Sequence, residues 1–446
     1  MYTEDTIVAI ATANGIGSIS IVRLSGVDAL KITNKISRNT TLKPRIATLS
    51  KIYDLKDELI DEALLLYFKN PHSFTGEDIV EFQCHGGVAI TNLVLASCIE
   101  AGARIANPGE FSKRAFLNGK IDLSQAQAIS KMIEARSEDA VKLLARQLKG
   151  ELKDFVGDIR KDLLFMLAYT EVNIDYAEED LPSDIYEQIK IKLDAIIIKL
   201  ENTLEASKRR EGLIDGFKVA IVGKPNVGKS SLLNKLLNFN RAIVSDIAGT
   251  TRDTIEESVK IGSHIIKIVD TAGIREASDE IEKIGIEKSL EAIEEADIII
   301  ALFDGSREFD DEDSQITTLL NNTSKETIRV INKSDLEQRI VLDKIGSEFV
   351  SLNAKDNISE LINKIEVILN QNSSGDDVTL ISQQQVNEVK SALLHIKESS
   401  SPLSTGELEF FAHHINEALE HISNITRPYE HTQMLDVMFG EFCLGK

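Results

Sequence analysis

The chain has 446 residues, which is enough for about three domains of ordinary size. With 72 acidic and 50 basic residues it carries a net charge of −22, which argues against a general nucleic-acid coat or a membrane-surface protein. Its 3 scattered cysteines exclude a disulfide framework, and no apolar run reaches the roughly 20 residues of a membrane span, so we expect a cytoplasmic protein with no membrane partner.

The first part of the chain mixes strand and helix patterns. Short β-rich runs occur at 7–10 and 19–22, and a helical stretch lies near 86–101. This mixture predicts an α+β domain over residues 1–118.

Apolar residues then recur at steps of three and four, from Val141 to Met166. This period predicts one long amphipathic helix. An acidic loop at 175–184 interrupts the pattern, and a second apolar stripe resumes at Ile189 and continues to Gly212. We therefore predict a helical hairpin within a helical domain over 119–215.

A strand-like run at 218–222, a glycine-rich loop and a helical pattern follow one another, as in a P-loop. Backbone N–H groups of such a loop converge on phosphate oxygens, Lys229 supplies a positive charge, and Ser230 ligates Mg²⁺. The predicted phosphate-binding residues are Asn226, Val227, Gly228, Lys229, Ser230 and Ser231.

Two further motifs follow strand-like runs. The first, Asp270-Thr271-Ala272-Gly273, places Asp270 near the Mg²⁺ shell and Gly273 near the γ-phosphate. In the second, Asn332-Lys333-Ser334-Asp335, the aspartate accepts from guanine N1–H and N2–H₂ while the asparagine meets O6 and N7. This tetrapeptide alone also suits a surface turn, but the three motifs together predict an α/β GTPase domain over 216–372.

The remaining residues, 373–446, begin with a polar linker and continue as helical patterns at 380–397 and 406–424. They lack β-rich segments, so we expect them to pack on the 120–212 helices, with the GTPase domain inserted between two parts of one helical domain. The 8 histidines suggest no metal set: His413 and His414 are adjacent, and we interpret them, with His421, as a solvated helix face.

Several stretches make the chain similar to the MnmE (TrmE) family of tRNA modification GTPases. They are the inserted GTPase domain and the segments 83–87, 108–120, 249–253 and 442–446. The resemblance spans the chain and implies a multidomain fold, with a folate-binding α+β domain, a helical domain and an inserted Ras-like P-loop GTPase.

The resemblance also implies an activity and partners. The family hydrolyses GTP and, with the flavoprotein MnmG in a heterotetramer or larger complex, installs a (carboxymethyl)aminomethyl group at C5 of the wobble uridine of certain tRNAs. It implies a homodimer formed by the N-terminal domain and a tetrahydrofolate derivative, 5-formyl- or methylene-tetrahydrofolate, as the one-carbon donor.

Hydrolysis needs a group that orients water. Ile274 stands where Ras-like enzymes place a glutamine for this purpose. The resemblance assigns the role to Glu282, whose alternative is a solvated helix face.

The family also uses K⁺ in place of an arginine finger, and Thr251 joins Ser230 on Mg²⁺. The K⁺ ligands carried over are Asn226, Ser245, Ile247 and Thr250, although Asn226 also suits a turn cap. The nucleotide contacts completed by the resemblance are Asp246, Ala248, Gly249, Asn353, Ala354 and Lys355, with Asn353 standing where the family has serine.

The resemblance places folate contacts at Arg23, Glu81, Lys120 and Lys446. Arg23 also suits an edge-strand charge, and Lys120 beside Asp122 also suits a salt bridge at the start of a helix. Cys443 is a candidate nucleophile near the chain end, where a basic neighbour favours the thiolate. Its alternative is a tail that docks by its apolar neighbours.

A second hypothesis is a GTP-dependent switch in ribosome or RNA assembly with no modification chemistry. It predicts a basic RNA-binding appendage, which the acidic composition disfavours.

Overall fold

The computed structural model describes residues 5–13, 15–175, 183–239, 257–269, 293–346, 348–353, 358–373, 375, 377–427, 439–440, 442 and 445. The chain divides into two units. Unit 1 comprises Met1–Ser130, Gln147–Lys192 and Asn387–Lys446, and unit 2 comprises Lys131–Arg146 and Leu193–Val386.

Unit 1 begins with a mixed sheet of six strands. They are β1 (Ile7–Ile10), β2 (Ile19–Ser25), β3 (Thr48–Tyr53), β4 (Leu59–Phe68), β5 (Ile79–His85) and β6 (Arg104–Ile105). Their order is β3-β4-β5-β2-β1-β6, and neighbours are antiparallel except β1 and β6. Helices α1 (Ala29–Ser37) and α2 (Val88–Glu100) cover one face, where Leu24, Leu65 and Phe82 form a buried core. The predicted α+β fold is confirmed.

The single long helix predicted from Val141 to Met166 is wrong. After α3 (Glu110–Leu117) and α4 (Leu123–Glu134), the structure divides the predicted helix into α5 (Glu138–Leu148) and α6 (Glu151–Asp175). The Ser137 hydroxyl accepts from the Ala140 N–H at 3.0 Å and so caps the start of α5. Gly150, with a φ of +100°, ends that helix in the left-handed region. The apolar period runs through the break at Gly150, so periodicity alone does not reveal it.

The second predicted helix is α7 (Ser183–Asp215). The tail forms α11 (Gln383–Thr405) and α12 (Leu408–Asn424), close to the predicted 380–397 and 406–424. Within unit 1, α12 packs along α6, so the expected packing of the tail on the earlier helices is observed for this pair.

Unit 2 contains a second six-stranded sheet. Its elements are β7 (Phe217–Val222), α8 (Lys229–Phe239), β8 (Glu257–Ile261), β9 (His264–Val269), β10 (Ile298–Asp304), α9 (Asp311–Asn322), β11 (Glu326–Asn332), β12 (Val350–Ser351) and α10 (Ser359–Ser373). The order is β12-β11-β10-β7-β9-β8, parallel except for β8. Strand β10 is buried along its whole length, as expected for a parallel strand covered on both faces.

A parallel sheet with helices on both faces binds its ligand beyond the carboxyl ends of its strands, at the point where the order of the strands in the sheet reverses. Strands β7, β10 and β11 all end at that edge. No helix among the described residues is long and apolar enough to cross a membrane.

Candidate functional site

The glycine-rich loop joins the end of β7 to the start of α8. Gly223 has a φ of +155°, and a Cβ there would lie 2.5 Å from the Leu302 carbonyl oxygen. Gly228 has a φ of +107°, and its Cβ would lie 2.2 Å from Asn332 Nδ2. The loop therefore requires glycine at both positions, because it curls against β10 and the end of β11.

Lys229 begins α8 and points back over the loop. Its Nζ donates to the carbonyl oxygens of Gly223 at 2.5 Å and Lys224 at 2.9 Å. Burial lowers the pKa of the Lys229 ammonium, because removal from water disfavours the charged form. A phosphate placed beside this ammonium would be bound strongly, because it would pair with a partly desolvated positive charge. The backbone N–H groups at the N-terminus of α8 can donate to the same phosphate.

The predicted base-recognition loop is joined directly to the phosphate loop. Asn332 Nδ2 donates to the Val227 carbonyl oxygen at 2.9 Å, and Lys333 Nζ donates to the Asn226 carbonyl oxygen at 3.1 Å. Asn226 and Lys333 both have positive φ, at 62° and 59°. The Asn332 amide carries a second N–H, so this bond is compatible with the predicted contact to guanine N7.

Asp335 lies at the exposed tip of this loop. The residue before it is fixed, because the Ser334 N–H and hydroxyl both donate to the Leu352 carbonyl oxygen at 3.0 Å. From α8, Lys235 Nζ donates to the Asn353 carbonyl oxygen at 2.7 Å. The serine-to-asparagine departure at 353 therefore leaves a backbone contact that any residue can make.

Sequence reasoning missed two ion-pair groups at this edge. Lys333 Nζ lies 2.6 Å from Asp304 Oδ2, at the end of β10. Burial favours a raised pKa for Asp304, but hydrogen bonds from Lys333 and Ser306 outweigh it and hold that pKa below its ordinary value. An aspartate that ends a wholly apolar strand was the available signal.

The second group holds the outer side of the phosphate loop. Lys224 Nζ lies 2.6 Å from Asp310 Oδ2 and 2.8 Å from Asp313 Oδ2. These aspartates form the capping box of α9. Lys224 therefore anchors the phosphate loop to α9, and Lys229 is the lysine of this loop that is placed to contact phosphate.

Many predicted site residues lie outside the described residues, and their predictions stand as made from the sequence. They are Ser245, Asp246, Ile247, Ala248, Gly249, Thr250, Thr251, Asp270, Thr271, Ala272, Gly273, Glu282, Ala354, Lys355, Cys443 and Lys446.

In unit 1, the predicted folate residues Arg23 and Glu81 are cross-strand partners on β2 and β5. Arg23 Nε donates to Glu81 Oε1 at 2.9 Å, and the two side chains are only 21% and 13% exposed. The Arg23 guanidinium also lies 5.8 Å from the centre of the Phe111 ring. A Cβ at Gly76 would lie 3.0 Å from Lys120 Cε, so Lys120 crosses the loop that precedes β5.

Gly445, near the end of the chain, lies against the N-terminal sheet of unit 1. A Cβ at Gly445 would lie 2.2 Å from the Ile10 carbonyl oxygen, and Phe442 packs on Phe439 with ring centres 5.1 Å apart. Ile10 follows Ala9, the β1 partner of Arg23. Gly445 therefore lies at the end of β1, the strand that pairs with the Arg23-bearing strand β2.

The other two cysteines lie in the core of that sheet. Burial, with a smaller effect of Asp61, raises the pKa of Cys84 to about 12, and burial raises the pKa of Cys98 as well. Neither thiol is a nucleophile at neutral pH.

The largely parallel sheet, its phosphate loop and the Asn332-to-Asp335 loop joined to it (the predicted guanine loop) define a P-loop GTPase within a multidomain chain. The protein-family model described as "GTP-binding protein TrmE N-terminus" matches residues 6–120, and the family model described as "MnmE helical domain" matches residues 123–443. The chain belongs to the MnmE (TrmE) family of tRNA modification GTPases, which are GTP hydrolases.

Curated relatives cover the chain from end to end. The tRNA modification GTPase MnmE of Aliarcobacter butzleri is 68% identical, with 100% of both chains covered. That of Sulfurimonas denitrificans is 59% identical, also with 100% of both chains covered. An Aquifex aeolicus Era variant bound to GDP and aluminium fluoride is 28% identical over 40% of this chain and 66% of its own, with a TM-score of 0.27.

Proposed function

We propose that this chain is a K⁺-activated GTPase that works with the flavoprotein MnmG in the cytoplasm. Together they install a (carboxymethyl)aminomethyl group at C5 of the wobble uridine of certain tRNAs. The GTPase domain occupies 216–372, between helical parts 119–215 and 373–446, and the folate-binding and dimerisation domain occupies 1–118.

The bonds between the phosphate loop and the guanine loop carry the proposal. The Val227 carbonyl oxygen accepts from the Asn332 side chain, and the Asn226 carbonyl oxygen accepts from the Lys333 side chain. Binding of the base and binding of the phosphates are therefore linked through the backbone of the phosphate loop. A nucleotide that lacks either half leaves polar groups of the site unpaired, which favours intact GTP.

The donor atoms present suit the implied ions. Ser230, exposed in the first turn of α8, offers a hydroxyl of the kind that Mg²⁺ binds. Asn226 is exposed and offers an amide oxygen, a hard ligand that suits K⁺. These ions, when bound, neutralise charge that develops on the phosphates, and Glu282 is proposed to orient the water.

The Arg23–Glu81 pair suits a folate, since Glu81 accepts from pterin N–H groups and Arg23 donates to carboxylate or formyl oxygens. A bound folate, such as 5-formyl- or methylene-tetrahydrofolate, supplies the one-carbon unit. Homodimer formation is supported by the sheet face opposite α1 and α2, where the cross-strand pair Leu49 and Leu64 is 61% and 41% exposed.

The first test is GTP hydrolysis in matched KCl and NaCl, with oligomeric state followed in GDP plus aluminium fluoride. We expect at least about tenfold faster turnover in KCl, because the ion replaces an arginine finger that is worth about 10³- to 10⁵-fold. Asn226→Gly removes the amide oxygen without straining the positive φ and should abolish the K⁺ effect. Asn238→Ala, an exposed asparagine on α8, should retain it.

Equal rates in the two salts, with no dimer in aluminium fluoride, would contradict K⁺ activation. That result would favour a GTP-dependent switch whose catalytic group comes from a partner.

The modification itself is tested with MnmG, a folate donor and tRNA, by mass spectrometry of the nucleosides. If Cys443 is the nucleophile, Cys443→Ser should stop product formation and leave K⁺-dependent GTP hydrolysis intact. Unchanged product would leave docking as the role of the tail, as the packing of Phe442 suggests.

A further inference from the structure

A group of histidines and glutamates lies between α11 and α12, which are joined through Gly406 and Glu407. From the sequence, His413, His414 and His421 are expected on a solvated helix face, and for His414 and His421 the structure differs. Both turn toward His395 on α11, while His413 remains exposed. The difference arises because His395 lies on another helix, and only the packing of α11 against α12 brings it beside these two histidines.

Three ligand atoms of this group form a small triangle. His395 Nδ1 and His414 Nδ1 are 3.4 Å apart, and Glu398 Oε2 lies 3.9 Å from the first and 3.6 Å from the second. A point equidistant from these corners lies about 2.1 Å from each, which matches zinc–nitrogen and zinc–oxygen bond lengths of about 2.0–2.2 Å. The side chains reach this arrangement without movement of either helix.

The surroundings also suit a metal site. His395 and His414 are 24% and 22% exposed, which shields the triangle but leaves solvent access. His395 also belongs to a second group with Glu417 and His421. His421 Nδ1 lies 2.7 Å from Glu388 Oε2, the carboxylate–histidine pairing that fixes the tautomer of metal-binding imidazoles.

We propose that His395, His414 and Glu398 bind a divalent transition-metal ion, with Zn²⁺ the expected occupant. Two imidazoles and one carboxylate suit Zn²⁺ and its neighbours, whereas Mg²⁺ and K⁺ prefer oxygen ligands alone. The ion joins α11 to α12 and is separate from the ions of the GTPase domain. The role is structural, because it fixes the helical hairpin.

The test is titration of the untagged, full-length Cys443→Ser chain with ZnCl₂ by calorimetry, after chelator treatment and in excess Mg²⁺. Removing Cys443 eliminates a competing thiol, and Mg²⁺ occupies the oxygen sites. We expect one Zn²⁺ per chain and a higher melting temperature with Zn²⁺. His414→Gln should weaken binding at least about tenfold, since it removes one of three ligands.

The matched control is His413→Gln, which changes the neighbouring exposed histidine and should bind Zn²⁺ as the parent does. His395 belongs to both groups of ligands, so His395→Gln should weaken Zn²⁺ binding more than any other single variant. Equal affinities of the His413 and His414 variants, or no Zn²⁺ binding by the parent at micromolar concentration, would overturn the proposal.

A second measurement does not depend on how the variants fold. Co²⁺ added to the same Cys443→Ser chain should give visible absorption typical of four-coordinate nitrogen and oxygen ligation, and Zn²⁺ should displace it. A spectrum of octahedral, water-ligated Co²⁺ would show that the triangle holds no metal.

Discussion

Replacing Asp335 with asparagine is expected to change the base preference of the GTPase site from guanine to xanthine. The carboxylate accepts from guanine N1–H and N2–H₂, whereas an amide places a donor against one of them. One bond is lost and replaced by two opposed donors, and the other bond loses its charged acceptor; together these changes lower GTP affinity by roughly 1000-fold. Xanthine carries a carbonyl at C2, which accepts from the new amide, so XTP should bind better than GTP.

The structure supports a local effect. Asp335 is exposed, and the adjacent Ser334 is held by two bonds to Leu352, so the exchange leaves the loop in place. Competition of GTP and XTP with a fluorescent guanine nucleotide measures the preference. Asp343→Asn, an exposed aspartate of the same unit, removes the same charge and should change neither affinity. A loss of GTP affinity below about tenfold would mean that Asp335 does not contact the base.

The sequence predicted the parts of this molecule that are encoded in contiguous residues. The P-loop and the Asn332-to-Asp335 loop each follow their strand directly, so local order was enough to assign them. Asp304 was missed because its partner Lys333 lies just beyond the end of the neighbouring strand β11, and a contact between the ends of two strands leaves no local sequence pattern. His395 and His414 were missed as a pair for a similar reason, because they lie on different helices and meet only when α11 packs against α12.

The helical region shows a different limit. Apolar periodicity reports which face is buried but not where a helix stops, so α5 and α6 were predicted as one. Val141 and Leu148, both in the predicted stripe, are 41% and 37% exposed. The informative residue was Gly150, whose positive φ ends α5.

Gly228→Ala should weaken GTP binding by roughly 100-fold while the chain remains folded. An alanine must adopt the φ of +107°, and its Cβ would lie 2.2 Å from Asn332 Nδ2. Relief requires Asn332 to move, which breaks its bond to the Val227 carbonyl oxygen and removes it from the base. Backbone strain of about 1–2 kcal/mol and one lost polar contact of about 1–3 kcal/mol give an effect of this size.

Two comparisons separate this mechanism from general destabilisation. Gly157→Ala in α6 meets no atom within 4 Å, so it should leave GTP affinity unchanged and raise the free energy of unfolding by up to about 1 kcal/mol. In a double-mutant cycle, Asn332→Ala removes the group that the methyl introduced by Gly228→Ala would strike. The combined loss of GTP affinity should then be smaller than the sum of the single losses, because both act through one contact. Additive losses would mean that Gly228 acts through the phosphate loop alone, with no connection to the guanine loop.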